Sequence, residues 1–238
     1  MRLETLVDPS ALRARLADVG ERLARAADRA RRDPASIRLV AVSKTFDANA
    51  VRAVTEAGQL DFGENKVQEA LAKMDETADL PIRWHLVGHL QSNKANKAAA
   101  RFDVIHSIDG VDLGGRIEQG ALAANRGVEV LVQVDLAGEP TKHGVREDAL
   151  APLFEAARGW RAARLVGLML LPPDVDDPEK ARPYFRAPRS VREGLLAGGV
   201  EGTMLSELSM GMSHDFEVAV EEGATLVRVG TAIFGRRN

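Results

Sequence analysis

The chain has 238 residues, 45% of them hydrophobic, and a formal net charge of −3, which is enough apolar material for one large domain with a full core. The absence of cysteine excludes disulfides, thiolate metal sites and a thiol nucleophile. The small negative charge gives no reason to expect binding to nucleic acid or to an anionic membrane, and no apolar run approaches the roughly 20 residues of a membrane span. We expect a soluble protein, and a reducing cytoplasm fits it.

A helix is predicted at the N-terminus, over about residues 8–32. Asp8 offers a cap for the first turn, and Pro9 suits the first helical position. The apolar positions behind this prediction recur at spacings of four, three and four: Leu12, Leu16, Val19 and Leu23.

After this helix, short β-forming runs alternate with helical stretches. The eight predicted strands are 39–43, 60–63, 84–87, 104–108, 128–136, 165–171, 204–210 and 226–229, and the helical stretches are 48–57, 66–76, 94–101, 113–125, 148–157 and 215–222. This order is typical of parallel α/β folds. Eight units predict a single (β/α)8 barrel over about residues 36–235, with all of 1–238 as one domain. A doubly wound sheet is the main alternative, but no Gly-x-Gly-x-x-Gly turn follows the first strand.

Lys44 ends the first predicted strand, at the end of the barrel where catalytic residues gather. Period-two alternation places it on the same face as Val40 and Val42. Lysines that merely reach solvent at strand ends are common, but only seven of the 32 basic residues are lysines. A lysine partly removed from water is nucleophilic and forms a Schiff base with an aldehyde.

Asn65 follows the second predicted strand and has two interpretations. Its side chain can cap the next helix, or its amide can bind a ligand above the barrel. We leave both open.

Histidines and lysines elsewhere give weaker signals. His85 and His89 are about 13 Å apart in a strand, which is too far for one metal ion. The segments 91–97, 106–107 and 142–144 are interpreted mainly as structural, with anion contact by 91–97 as a minority alternative.

Two turns rich in Gly, Ser and Thr follow the last two strands, where barrels commonly bind phosphate. Ser213 and Thr231 offer hydroxyl groups, Gly230 and Gly211 permit close backbone approach, and a helix over 215–222 is expected to direct its N-terminus at the anion. Arg228 lies among β-formers, so its buried charge needs a polar partner.

These motifs together resemble one known family. The segments of this chain that carry the resemblance are Leu39 to Lys44, Phe62 to Asn65, His85 to Lys94, Leu208 to Asp215 and Arg228 to Thr231. The chain is identified as a member of the pyridoxal 5′-phosphate (PLP) homeostasis proteins, also called the YggS-like or proline synthase co-transcribed family. The resemblance spans about residues 36–235.

The resemblance implies a barrel similar to the N-terminal domain of alanine racemase, the type III fold of PLP proteins. It implies PLP as cofactor, held as a Schiff base on Lys44, with Asn65 above it and Arg228 at its ring nitrogen. The residues that it places around the phosphate are Met212, Ser213, Gly230 and Thr231, and Ser209 is also expected to bind the cofactor. Two segments depart from the family pattern: 168–172 replaces a more polar ending of strand six, and 137–144 is a variant of the strand-five loop. Both departures concern peripheral contacts and leave the lysine and the phosphate turns unchanged.

Arg228 also bears on activity, because a guanidinium only donates and so fits an unprotonated ring nitrogen. Such a cofactor is a poor electron sink and needs well-placed acid–base groups. Related racemases take a tyrosine from a second β domain, whereas this chain has one tyrosine, Tyr184, in a predicted surface helix. We expect a cytoplasmic cofactor carrier, with PLP-dependent apo-enzymes as recipients, no catalytic residues, no metal, and a monomeric or weakly dimeric state. The alternatives are a PLP-dependent racemase or decarboxylase and a Schiff-base aldolase.

Overall fold

The computed structural model describes residues 8–135 and 144–235. Eight parallel strands close into a barrel in chain order, with each strand paired to its neighbours and the last strand paired to the first. The predicted (β/α)8 barrel with an extra N-terminal helix is confirmed. Parallel neighbours require crossover connections, and the helices between the strands supply them.

The strands and helices have the following bounds. The strands are β1 Arg38–Val42, β2 Asp61–Glu64, β3 Arg83–Leu86, β4 Val104–Ile108, β5 Val128–Val134, β6 Ala163–Leu170, β7 Glu207–Ser209 and β8 Leu226–Val229. The helices are α1 Pro9–Arg29, α2 Ala48–Glu56, α3 Val67–Glu76, α4 Ala95–Ala99, α5 Val111–Ala123, α6 Leu150–Ala157, α7 Pro178–Ala197, α8 Phe216–Glu221 and α9 Thr231–Phe234.

The N-terminal helix α1 begins as the sequence indicates. The Asp8 side chain accepts from the amide of Ser10, and Pro9 occupies the first turn. The helix packs against α2, α8 and α9, and Arg22 and Arg29 form ion pairs with Glu217 on α8. It therefore covers the flank where the barrel closes between β8 and β1.

Two faces alternate along the strands. The outward residues belong to the large core between sheet and helices, whereas a small buried cluster fills part of the barrel interior. Its members are Val40, Val104, Leu131, Val166, Met169 and Leu226. The position of Val40 in this cluster confirms that β1 directs 40 and 42 inward.

The structure also corrects several predicted boundaries. Strand β7 is shorter than the predicted 204–210, because Gly202–Leu205 form a 3₁₀ helix. Strand β5 ends at Val134, and the predicted end at 136 lies outside the described residues, as do most of the loop 137–144 and the lysine and histidine at 142–143. Helix α9 was not predicted. Within the described residues, no helix is long and apolar enough to cross a membrane.

Candidate functional site

A cavity of about 670 Å³ opens at the C-terminal ends of the strands. Most of the residues predicted to bind a ligand line it. The full lining is Val42, Lys44, Phe46, Asn65, Val87, Gly88, His89, Gln133, Leu171, Met212, Ser213, His214, Arg228, Gly230, Thr231 and Gly235. This is where barrel enzymes place their sites.

Lys44 lies just past the end of β1, with an exposed side chain that lines the cavity. Its backbone is held on both sides by helix α3. Lys73 Nζ donates to the carbonyl of Ser43 at 2.7 Å, and the amide of Thr45 donates to Glu69 Oε1 at 2.6 Å. Thr45 has φ +69°, which is strained for a β-branched residue. The chain therefore leaves β1 along a path that the helix fixes.

A buried ion pair between Lys73 and Glu64 holds the backbone before Lys44. Nζ and Oε1 are 2.6 Å apart, and the hydroxyl of Ser43 donates to the same oxygen at 2.7 Å. Glu64 Oε2 is buried without a partner among the described residues. Burial raises the pKa of the Glu64 carboxyl, while Lys73 and the Ser43 hydroxyl oppose that shift. Neither residue was singled out from the sequence.

Asn65 lines the cavity, and the capping interpretation is wrong. Helix α3 begins at Val67 with Lys66 at the N-cap position and no side-chain cap. Gly88 permits a close approach to Asn65, because a Cβ atom at position 88 would lie 2.3 Å from the Asn65 carbonyl oxygen. The Asn65 amide as a ligand contact stays a prediction.

The two C-terminal turns meet at Ser213. Its hydroxyl oxygen accepts from the amides of Gly230 at 3.1 Å and Ala232 at 3.2 Å, at the start of α9. Met212 and Thr231 are exposed at the rim. The Ser213 and Thr231 side chains therefore line the cavity with hydroxyl groups, while the amides of Gly230 and Ala232 are used in holding the Ser213 hydroxyl.

The orientation of α8 toward an anion stays a prediction, and Met212 to His214, directly before this helix, line the cavity. No residue of α8 lines the cavity, whereas Thr231, the first residue of α9, does. Before α8, Asp215 Oδ1 accepts from the amide of Met212 at 2.6 Å. Gly211 has φ +92°, and a Cβ there would lie 2.6 Å from Ala219 Cβ. Gly211 thus serves the turn and its packing on α8.

Arg228 lies at the base of the cavity and is only 4% exposed. Its polar partners are neutral: Nη1 donates to Ser209 Oγ at 2.5 Å, and Nη2 donates to the carbonyl of Leu170 at 2.8 Å. Burial lowers the pKa of Arg228 to about 10, and the carboxylate of Asp215 opposes that shift. Ser209 is fully buried and does not line the cavity, so the structure places it behind Arg228.

Ser209 begins a chain of buried polar groups through the barrel. His106 Nδ1 lies 2.8 Å from Ser209 Oγ, His106 Nε2 lies 2.9 Å from His85 Nδ1, and His85 Nε2 lies 2.8 Å from Asp61 Oδ1. Burial lowers the pKa of both imidazoles, that of His106 more strongly.

The sequence predicts His106 as an isolated structural residue and excludes His85 as a metal ligand with His89, whereas the structure joins His85 and His106 in one buried chain. Among the described residues, no group of three or more His, Cys, Asp or Glu side chains could hold a metal ion. The signal for these histidines was the alternation of side chains along the strands. Because outward apolar residues such as Trp84 and Leu86 flank His85, its side chain must point into the barrel.

Comparison with known proteins first defines the class. The family model "Alanine racemase, N-terminal domain" matches residues 14–238, so the chain belongs to that family. A pyridoxal phosphate homeostasis protein of Aquifex aeolicus is 42% identical over 223 residues, which cover 94% of this chain and 97% of the relative. The one of Escherichia coli K12 is 37% identical over 226 residues, covering 94% and 95%. Within its class, the chain belongs to the pyridoxal phosphate homeostasis proteins.

Solved structures agree. PipY of Synechococcus elongatus PCC7942, solved with PLP bound, has a TM-score of 0.82 and 38% identity, covering 94% of this chain and all of PipY. An alanine racemase of Clostridium difficile has a TM-score of 0.72 at 13% identity, covering 96% of this chain and 57% of the racemase. The second likeness shows the fold alone.

Proposed function

We propose that this protein binds pyridoxal 5′-phosphate through Lys44 and carries it in intracellular PLP homeostasis. The observation behind the proposal is that one cavity brings together an exposed amine, two turns that carry the hydroxyl groups of Ser213 and Thr231, and a buried guanidinium. These three groups match the aldehyde, the phosphate and the pyridine nitrogen of one cofactor. The PLP bound in PipY, a relative of the same family, supports the choice of ligand.

Each group has a defined task. Lys44 would bind the aldehyde, and the turns around Ser213 and Thr231 would hold the phosphate, as N–H and hydroxyl donors do. Arg228 would donate to the ring nitrogen and keep it unprotonated, since no described residue accepts from its remaining N–H groups. Asn65 would bind above the ring. Ser209 would not contact the cofactor directly and would instead accept a hydrogen bond from Arg228 on the side away from the cavity. When bound, the cofactor supplies a reactive aldehyde and an electron-accepting ring.

The cavity favours carriage over catalysis. A guanidinium at the ring nitrogen weakens carbanion stabilisation, so turnover would need an acid–base side chain near the reacting carbon. Tyr184 lies on α7 and does not line the cavity, where the acid–base side chains besides Lys44 are His89 and His214. The exposed rim at Lys44, Met212 and Thr231 provides a path for release. We propose PLP-dependent apo-enzymes as recipients, the cytoplasm as compartment, and a monomer or weak dimer as the working form.

The anchor is tested by borohydride reduction of the PLP-loaded protein, followed by peptide mapping. We expect the pyridoxyl group on Lys44 and its loss in Lys44→Ala. Lys66→Ala is the matched control, because Lys66 is also exposed at a strand end but lies outside the cavity lining. Modification of another lysine would refute the assignment.

Two further readouts separate the alternatives. A visible absorption band in the purified protein distinguishes PLP binding from a Schiff-base aldolase, which needs no chromophore. Incubation with single-enantiomer amino acids distinguishes a carrier from a racemase or decarboxylase. Racemisation or release of carbon dioxide at an enzymatic rate would overturn the carrier role.

A further inference from the structure

The chain of polar groups behind Arg228 crosses the barrel from one end to the other. Arg228 lies at the cavity, and Asp61 is the first residue of β2, at the opposite end of the barrel. Between them lie three fully buried groups: Ser209, His106 and His85. No contact in the chain exceeds 2.9 Å.

The end groups determine the direction of the hydrogen bonds. A guanidinium only donates, so Ser209 Oγ accepts from Arg228. A carboxylate only accepts, so the proton between Asp61 and His85 sits on His85 Nε2. Arg38 Nε lies 3.9 Å from the same carboxylate oxygen of Asp61.

Neutral histidines complete the pattern, because each then carries one N–H. With its proton on Nε2, His85 presents a bare Nδ1, which accepts from His106 Nε2–H. His106 in turn presents a bare Nδ1, which accepts the hydroxyl proton of Ser209. Every group in the chain therefore donates toward Asp61 and accepts from the side of Arg228.

This polarity affects the cavity. A serine hydroxyl rotates, and its proton can compete with Arg228 for the space between them. With that proton held by His106, the lone pairs of Ser209 stay directed at the guanidinium. Chained hydrogen bonds also polarise one another, which strengthens the acceptor.

We infer that Asp61 is a positioning residue for Arg228, and that it acts through His85, His106 and Ser209 to keep the guanidinium charged and directed into the cavity. The effect of Asp61 on the absorption spectrum of bound PLP rests on the proposed function. The positions of the protons in the chain of hydrogen bonds do not depend on PLP.

The arrangement is tested in the full chain without cofactor by long-range ¹H–¹⁵N correlation of the imidazoles. The chain has five histidines, so a background with His89, His143 and His214 replaced by Gln leaves only the two of interest. We expect both to be neutral at pH 7, protonated at Nε2 and bare at Nδ1. The reversed chain, with Nδ1–H in either ring and a protonated Asp61, or an imidazolium, would overturn the inference.

A variant tests the action at a distance. Asp61→Ala should give mixed tautomers at His85 and His106 and shift the Nη resonances of Arg228. Asp79→Ala is the matched control, since it removes a carboxylate paired with Arg52 on the surface, and it should change none of these signals. Unchanged resonances in Asp61→Ala would contradict the inference. If that variant does not fold, the tautomers of the unaltered chain still decide.

The loaded protein separates this inference from the proposed function. With PLP bound, Asp61→Ala should shift the cofactor's absorption band, and Asp79→Ala should leave it unchanged. Expected tautomers without any PLP binding would refute the proposed function and leave the inference standing. PLP binding with the opposite tautomers would refute the inference alone.

Discussion

Lys73 Nζ lies 2.6 Å from Glu64 Oε1 and also donates to the carbonyl of Ser43, directly before Lys44. Both side chains are buried, at 7% and 0% exposure. A single buried ion pair thus sets the backbone path of the lysine that faces the cavity.

Replacing one partner of this pair should be costly. Lys73→Met leaves the Glu64 carboxylate buried and unpaired, so we expect a loss of about 3–5 kcal/mol in the free energy of unfolding. Urea denaturation measures it. The double variant Lys73→Met with Glu64→Gln removes the charge as well and should recover part of the loss.

The control for this prediction is Arg101→Met. Arg101 pairs with Asp75 on the surface, with 40% and 68% exposure, and such pairs contribute only about 0–1 kcal/mol. Equal losses in Lys73→Met and Arg101→Met would contradict the role of the buried pair.

Gly88 should tolerate no side chain. A Cβ there would lie 2.3 Å from the Asn65 carbonyl oxygen, so Gly88→Ala should cost about 1–3 kcal/mol through overpacking and weaken PLP binding by displacing Asn65. Thermal unfolding and a PLP titration measure the two effects. Gly115→Ala is the control: apart from its chain neighbours and the nearby backbone of α5, no heavy atom lies within 4 Å of its Cβ position, and alanine there should add about 0.5–1 kcal/mol to the stability. Similar behaviour of the two variants would refute the close contact.

The charge at Arg228 should determine the spectrum of the bound cofactor. Arg228→Glu replaces a donor by an acceptor, so a ring nitrogen at this position should become protonated and the absorption band should shift. Arg189→Glu, on the exposed face of α7, should leave the spectrum unchanged. An unaltered spectrum in Arg228→Glu with cofactor bound would show that the guanidinium does not contact the ring.

The buried histidines should make stability fall in mild acid. Burial lowers the pKa of His85 and of His106 from 6.5. The charges of Arg38 and Arg83 add to the shift at both histidines, and that of Arg228 adds to it at His106. At His85, Asp61 opposes the shift. Below pH 6.5 the unfolded chain therefore binds protons that the folded protein does not. The free energy of unfolding should decrease by up to about 1.4 kcal/mol per pH unit for each histidine as pH falls from 6.5 toward the folded-state pKa.

This dependence is measured by urea denaturation between pH 7.5 and 5.5. Raised pKa values at Glu64 and Asp215 act in the opposite sense, so the variant comparison carries the test. The double variant His85→Gln with His106→Gln should lose the acid slope, while His214→Gln should keep it. If the unaltered protein, the double variant and His214→Gln all lost unfolding free energy equally with falling pH, the lowered pKa values would be contradicted.

The sequence by itself determined the barrel, the N-terminal helix, the strand-end lysine and the two turns. These follow from local rules, since periodicity fixes strands and helices and a parallel barrel places every strand end at one mouth. Only the tertiary structure decided that Asn65 faces the cavity, that α9 and not α8 borders it, and that Ser209 lies behind Arg228. It also decided the pairing of Lys73 with Glu64 and the chain from Arg228 to Asp61. Those contacts join residues from different strands and helices, and their distances depend on barrel closure and register, which no local pattern encodes.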